Sequence, residues 1–273
     1  MDPLHFLYHA AYLNDKGCTL MEAGKQHEAF ETFIQAIESI STLTQVVESR
    51  RNQPQHRTLQ LLPSQRRKSS MKQSLYGSVV IEAGHDATRG AMMKTSDFRL
   101  CDDDVETFES GTTCLSIAGS VNFVCNRSFR FTARQSHLER CDEAAVHYLK
   151  LCQAGITFNS ALSFHQRSIG ANESLRATAE SVAADLYLDA MNLLKDCFST
   201  PDSCRVLVAT INNAAILFYE MKCYDKFAVF QQELHRLLVD IESNFPKSVD
   251  PHYLQCFFFN ATLLSTPATA VAA

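Results

Sequence analysis

The sequence predicts a mainly α-helical fold of stacked helix pairs, interrupted by a long insertion that carries short β strands. Three observations predict it. Apolar residues recur at helical spacing before residue 48 and after residue 134. Glycines, prolines and capping residues divide these stretches into pieces of helix length. Between them, residues 48–134 lose the helical pattern.

Residues 1–47 are predicted to form the first helix pair, with a break at Gly24. In its second helix Phe30, Phe33, Ile37 and Ile40 recur on one face, and glutamates and glutamines fill the other. One short partner helix cannot bury such a stripe completely. The pair is therefore expected to stack on further pairs.

Residues 48–134 are predicted to be an insertion between pairs, partly disordered. It opens with a basic linker and continues with alternating runs at residues 76–82, 114–118 and 122–132, which favour short strands. In the last run, Phe129 and Phe131 share one face at period two. Insertions of this length between repeats are functional or disordered.

Residues 135–265 are predicted to contain two further pairs and a C-terminal capping helix, followed by a frayed tail at 266–273. Ser136, with Glu139, is expected to open the second pair with a capping box. Ser174 is expected to cap the next helix, and Thr200 with Pro201 to start the third pair. That pair is expected over residues 206–221 and 224–243, and the capping helix to Leu264.

In the first pair, small residues stand where two closely crossing helices would touch, and large residues fill the gap between them. This pattern resembles the tetratricopeptide repeat (TPR). The third pair matches at fewer positions, with Phe227 where a small residue is typical. The order of pairs and the long insertion resemble uncharacterised TPR-like proteins of single-celled algae. The matching residues are Gly17, Leu20, Gly24, Ala29, Phe33, Ala36, Ala215, Phe218 and Tyr224.

The resemblance implies an α-α superhelix of about three TPR-like pairs whose first helices line a concave face. It implies a protein–protein interaction scaffold that binds a peptide or helix there, while the insertion modifies or covers that face. Asn14 and Cys18 stand where carboxylate-clamping relatives carry Lys and Asn, so that clamp is not expected. The predicted partner contacts are Tyr8, Tyr12, Asn14, Asn159, Asn212 and Asn213.

An RNA-associated helical repeat protein is the alternative, because residues 49–72 carry seven Lys or Arg and no Asp or Glu. The formal net charge is −5, so the rest of the chain is acidic, which argues against nucleic-acid binding over the whole surface. Two arginines precede Ser69, which is a candidate phosphosite.

The sequence lacks nucleotide-binding glycine loops and hydrolase or metalloprotease motifs, so it predicts neither an enzyme nor a cofactor. His5 and His9, His137 with Cys141, and residues 102–104 are possible metal ligands by spacing alone, and solvated surface groups are the preferred interpretation. Without an export signal or an 18-residue apolar run, the chain is predicted to be intracellular, cytoplasmic or nuclear, with reduced cysteines and no membrane span.

Overall fold

The computed structural model describes residues 3–52, 98–100, 124–126, 128–131, 133, 138, 143–195, 197, 200–245, 249 and 251–263. Within these ranges the chain is mostly helical, as predicted. The helices are α1 (Pro3–Glu22), α2 (Gln26–Asn52), α3 (Glu143–Ser168), α4 (Glu173–Leu194), α5 (Pro201–Glu220), α6 (Tyr224–Asn244) and α7 (Pro251–Leu263). Two three-residue strands, β1 (Phe98–Leu100) and β2 (Phe129–Phe131), pair antiparallel with Phe98 opposite Phe131.

Each helix packs against the next one along the chain, from α1 to α7. The odd-numbered helices also contact each other in the order α1, α3, α5 and α7. Strand β2 lies against α1 and α3. Part of the predicted insertion is therefore packed against the helices that begin the first two predicted pairs.

The turns that join α1 to α2 and α5 to α6 have the same hydrogen bonds. Gly24 N donates to Met21 O (3.0 Å), and the next amide, Lys25 N, donates to Leu20 O (2.9 Å). In the second turn Lys222 N donates to Tyr219 O (3.0 Å), and the next amide, that of Cys223, reaches back to Phe218 O (2.8 Å). Gly24 and Lys222 both have positive φ, of 76° and 60°, as the residue after a helix requires in this Schellman geometry.

Small residues at the α1–α2 crossing allow the helices to approach closely. Ala29, Phe33 and Ala36 are fully buried, and a Cβ added to Gly17 would overlap the Phe33 ring. Because packed interiors leave no room for extra atoms, a larger residue at Gly17 would force the helices apart. Leu20 is partly buried against the same core.

The α5–α6 pair keeps some of these features. Ala215 and Phe218 are buried, and Phe227 packs its ring against Tyr219 with 5.3 Å between centroids. Tyr224 is 58% exposed and contacts the Tyr219 ring edge-on. The large Phe227 is thus accommodated beside another aromatic ring at the end of α5.

Several helix boundaries differ from the sequence predictions. Helix α2 continues to Asn52, where basic side chains in the last turn complement the carboxyl end of the helix dipole. The cap of α4 is Asn172 and not Ser174: its extended backbone lies outside the helix, and its side-chain oxygen accepts from Leu175 N at 3.1 Å.

Helix α5 begins at Pro201, where Thr200 and Pro201 predicted a helix start, and not at residue 206, where the pair was expected to begin. Thr200 and Ser203 form a reciprocal capping box, which satisfies amides of the first turn. The predicted capping box of Ser136 and Glu139 and the runs at 76–82 and 114–118 lie outside the described residues.

Candidate functional site

Five buried asparagines line the odd-numbered helices and are hydrogen-bonded to one another in two groups. We call them the asparagine row: Asn14, Asn159, Asn212, Asn213 and Asn260, each at most 1% exposed. Asn159 Nδ2 donates to Asn14 Oδ1 at 2.9 Å. Asn260 Nδ2 donates to Asn212 Oδ1 (2.6 Å), and Asn212 Nδ2 donates to Asn213 Oδ1 (3.1 Å). Buried amides need such partners, so the row is a polar feature within an apolar core.

Asn159 holds both backbone groups of Phe129. Its Oδ1 accepts from Phe129 N at 2.8 Å, and its Nδ2 donates to Phe129 O at 2.8 Å. Asn14 Nδ2 donates to the same carbonyl at 2.9 Å. An amide side chain in this position makes the paired bonds that a neighbouring β strand would make.

Asn213 holds Cys125 in the same way. Cys125 N donates to Asn213 Oδ1 at 2.8 Å, and Asn213 Nδ2 donates to Cys125 O at 2.9 Å. The two clamped residues are four positions apart in the sequence. Helices α3 and α5 thus each contribute one asparagine that binds the main chain of this stretch.

The clamped stretch, of which the structure describes residues 124–126 and 128–131, is called the inner segment below. The side chains of both clamped residues are buried as well: Cys125 is 2% exposed, and Phe129 is 1% exposed with its ring edge-on to Phe158 at a centroid distance of 5.0 Å. Phe131 is also buried, so the predicted shared face of Phe129 and Phe131 is confirmed. Arg130 between them is less buried.

A buried chain of hydrogen-bonded polar groups extends from Asn213 to Glu220, the last residue of α5. Asn213 Nδ2 donates to the Tyr187 hydroxyl oxygen at 3.2 Å, and that hydroxyl is 3.3 Å from His165 Nδ1. His165 Nε2 is 3.1 Å from Glu220 Oε2. A carboxylate can only accept, so Nε2 carries a proton, and in the neutral ring Nδ1 accepts from Tyr187. Burial raises the pKa of Tyr187, which keeps the phenol protonated and able to donate.

Tyr187→Phe is therefore expected to lower the free energy of unfolding by about 1–3 kcal/mol, because Asn213 and His165 each lose a buried partner. Urea denaturation followed by circular dichroism measures the loss. Tyr219→Phe is the matched control, since Tyr219 is 41% exposed, and its change should stay within about 0.5 kcal/mol. A Tyr187 variant as stable as this control would contradict the hydrogen-bond chain.

Arg130 contacts two residues of α1, Glu22 and Asp15. Arg130 Nη2 lies 2.9 Å from Glu22 Oε1, and its Nη1 donates to the backbone oxygen of Asp15 at 3.4 Å. Asp15 Oδ1 is buried and has no hydrogen-bond partner among the described residues. Burial raises the pKa of the Asp15 carboxyl above its ordinary value, and the positive charge of Arg130 opposes that shift.

Because the folded chain binds the Asp15 proton more tightly than the unfolded chain does, ionised Asp15 disfavours folding above its raised pKa. Asp15→Asn is expected to raise the melting temperature at pH 7. The advantage should shrink as the pH falls and vanish below the ordinary carboxyl pKa of about 4. Thermal melts of both proteins from pH 3 to pH 8 test this, and a variant less stable than the parent at pH 7 would refute it.

The predicted partner contacts fall into two groups in the structure. Tyr8 and Tyr12 are 53% and 65% exposed on α1. The four predicted asparagines are buried. Asn14, Asn159 and Asn213 bind main chain of the same protein, whereas Asn212 bonds to the side chains of two other asparagines of the row. Their contact with an outside partner stays a prediction. Asn260 was missed, although an asparagine in the apolar, phenylalanine-rich helix α7 was a usable signal.

Other predicted features lie at the edge of the described residues or outside them. Ser69, His137, Cys141, residues 102–104 and most of the basic stretch 49–72 lie outside. Arg51 of that stretch is 3.9 Å from Glu143. His5 and His9 stack their rings, and no group of three potential metal ligands occurs in the described part of the chain. None of the described helices is long and apolar enough to cross a membrane.

Comparisons with known proteins do not assign the chain to a family. No protein-family model, curated protein or solved structure matches it. Function must therefore be inferred from the asparagine row and the main chain that it binds.

Proposed function

We propose that this protein is an interaction scaffold that binds an extended peptide of a partner on the surface formed by α1, α3 and α5. The helices would form a short TPR-like superhelix, with this surface as its concave face. The repeated Schellman turns and the contacts among the odd-numbered helices support that arrangement. Asn14 and Asn212 support it further, since each lies ten residues before the positive-φ residue of its turn, Gly24 or Lys222.

One observation carries the proposal: Asn159 and Asn213 each bind the N–H and the C=O of a single residue. Every non-proline residue offers these two groups, so the clamps do not depend on the side chains of the bound chain. Peptide recognition by strand addition works on the same principle, with main-chain bonds for affinity and side-chain pockets for specificity. The inner segment, which this surface holds through its main chain, supports the proposal.

The test is selection of peptides on the full-length chain. Phe129→Ala is introduced to loosen the inner segment, and random 12-residue peptides displayed on phage are panned against it. We expect enriched peptides whose capture falls when Asn159→Ala and Asn213→Ala are added. Asn192→Ala, at an exposed position of α4, is the control that should leave capture unchanged.

Circular dichroism shows whether each variant remains helical, so that only folded proteins are compared. Enrichment that does not depend on the two clamps would contradict the proposed site. A failure to enrich any peptide above the level of an empty support would contradict the proposed function.

A further inference from the structure

The inner segment occupies the surface that the proposed function assigns to a partner peptide. The side chains of the inner segment therefore indicate which kind of peptide this surface accepts. Asn159 holds Phe129 and Asn213 holds Cys125 through main chain, so these bonds would be kept by any extended peptide. Selection must come from the side chains at the β2 end. There an aromatic residue, a basic residue and a second aromatic residue follow one another in Phe129–Phe131.

The surface provides a different environment for each of the first two residues. Phe129 lies in the core against the Phe158 ring, where an aromatic side chain gains both buried area and edge-to-face geometry. Arg130 turns away from that face, towards Glu22 and the backbone oxygen of Asp15. A basic residue is favoured because the Glu22 carboxylate carries a negative charge and the backbone oxygen of Asp15 accepts a hydrogen bond.

The inner segment leaves one carboxylate oxygen beside Arg130 without a hydrogen bond from any described residue. Asp15 Oδ1 is buried, and no donor to it is found in the part of the chain that the structure describes. Burial of an acceptor without a partner is unfavourable, so an occupant that supplied a donor there would bind more tightly than the inner segment does. The segment therefore has the properties of an intramolecular competitor that a better ligand can replace.

We propose that the partner is an extended peptide with a basic residue between two aromatic residues, and that it competes with the inner segment for the asparagine clamps. This inference rests on the proposed function and adds the chemical class of the ligand and an autoinhibitory role for residues 124–131. While the inner segment occupies the clamps, a partner peptide cannot bind them. The apparent affinity for the peptide is therefore reduced in proportion to the fraction of molecules whose clamps are free.

The experiment uses a fluorescently labelled synthetic peptide with the sequence of residues 122–133 and the full-length chain, with binding followed by fluorescence anisotropy. We expect the Phe129→Ala chain to bind this peptide at least about fivefold more tightly than the unmodified chain, because its own segment competes less well. A scrambled peptide of the same composition is the control for nonspecific binding.

Charge specificity is tested by a second peptide with Glu in place of the arginine that corresponds to Arg130. It should bind the Phe129→Ala chain about five- to tenfold more weakly than the first peptide, because it places like charges together. When Glu22→Arg is added to the Phe129→Ala chain, the Glu-containing peptide should regain at least half of the fold-change in affinity that it lost. Glu22 is suited to this exchange, since its side chain is 53% exposed and the variant should remain folded.

The outcomes separate this inference from the proposed function. Equal binding of both peptides, or equal binding to the unmodified and Phe129→Ala chains, overturns the inference but leaves a peptide-binding scaffold intact. Absence of binding by either peptide also overturns the inference. If the phage selection above returns no clamp-dependent peptide as well, the proposed function fails with it.

Discussion

Ala29→Arg is expected to remove cooperative unfolding of the α1–α2 pair and to lower the free energy of unfolding by roughly 3–5 kcal/mol. Ala29 is fully buried at the crossing of the two helices. A guanidinium there must either lose its hydration without a partner or push the helices apart. Since domains of ordinary stability unfold with about 5–15 kcal/mol, such a loss is a large share of the total.

Guanidinium-induced unfolding, followed at 222 nm, measures the loss, and amide hydrogen exchange shows where it occurs. Amides of α1 and α2 should exchange faster, and those of α6, which packs with α5 and α7, should change least. Ala23→Arg is the matched control, because Ala23 is exposed in the turn beside the same crossing. If both arginine variants unfold like the parent, the helices do not cross at Ala29.

The helices could be predicted because their signals are local. Gly24 and Pro201 mark a turn and a helix start, and the start of α6 at Tyr224 agrees with the prediction. The predictions of helix boundaries were wrong where several neighbouring residues could cap the helix. Asn172 and Ser174 are both good caps, and only the backbone geometry decides between them. The periodicity of apolar residues also carries no information on how far a polar helix end such as that of α2 continues.

The asparagine row could be predicted only in part, because its bonds join distant parts of the chain. The assignment of Asn14 and Asn159 to the first helices of their pairs placed both on one predicted surface. The same reasoning could not supply their partner, since Asn14 and Phe129 are 115 residues apart. Backbone groups look alike in every sequence, so a side chain that binds main chain leaves no motif at the other end of the bond.

Asn159→Ala is expected to lower the free energy of unfolding by roughly 3–5 kcal/mol, more than Asn14→Ala. The change removes the partners of Phe129 N and of Asn14 Oδ1, and one donor to Phe129 O. Each buried group left without a partner is unfavourable by about 1–3 kcal/mol. After Asn14→Ala, by contrast, Asn159 still holds both backbone groups of Phe129, so a loss of about 1–2 kcal/mol is expected.

Hydrogen exchange distinguishes loss of the clamp from a general loss of stability. The Phe129 amide should lose protection in Asn159→Ala by more than the global change in stability accounts for, because its acceptor is gone. Amides in α6 should follow the global change alone. Asn192→Ala, on the exposed side of α4, should change neither quantity. If the Phe129 amide stays as protected in Asn159→Ala as the core amides of α6, the inner segment is held by its apolar side chains and the asparagine clamp is not what binds main chain at this surface.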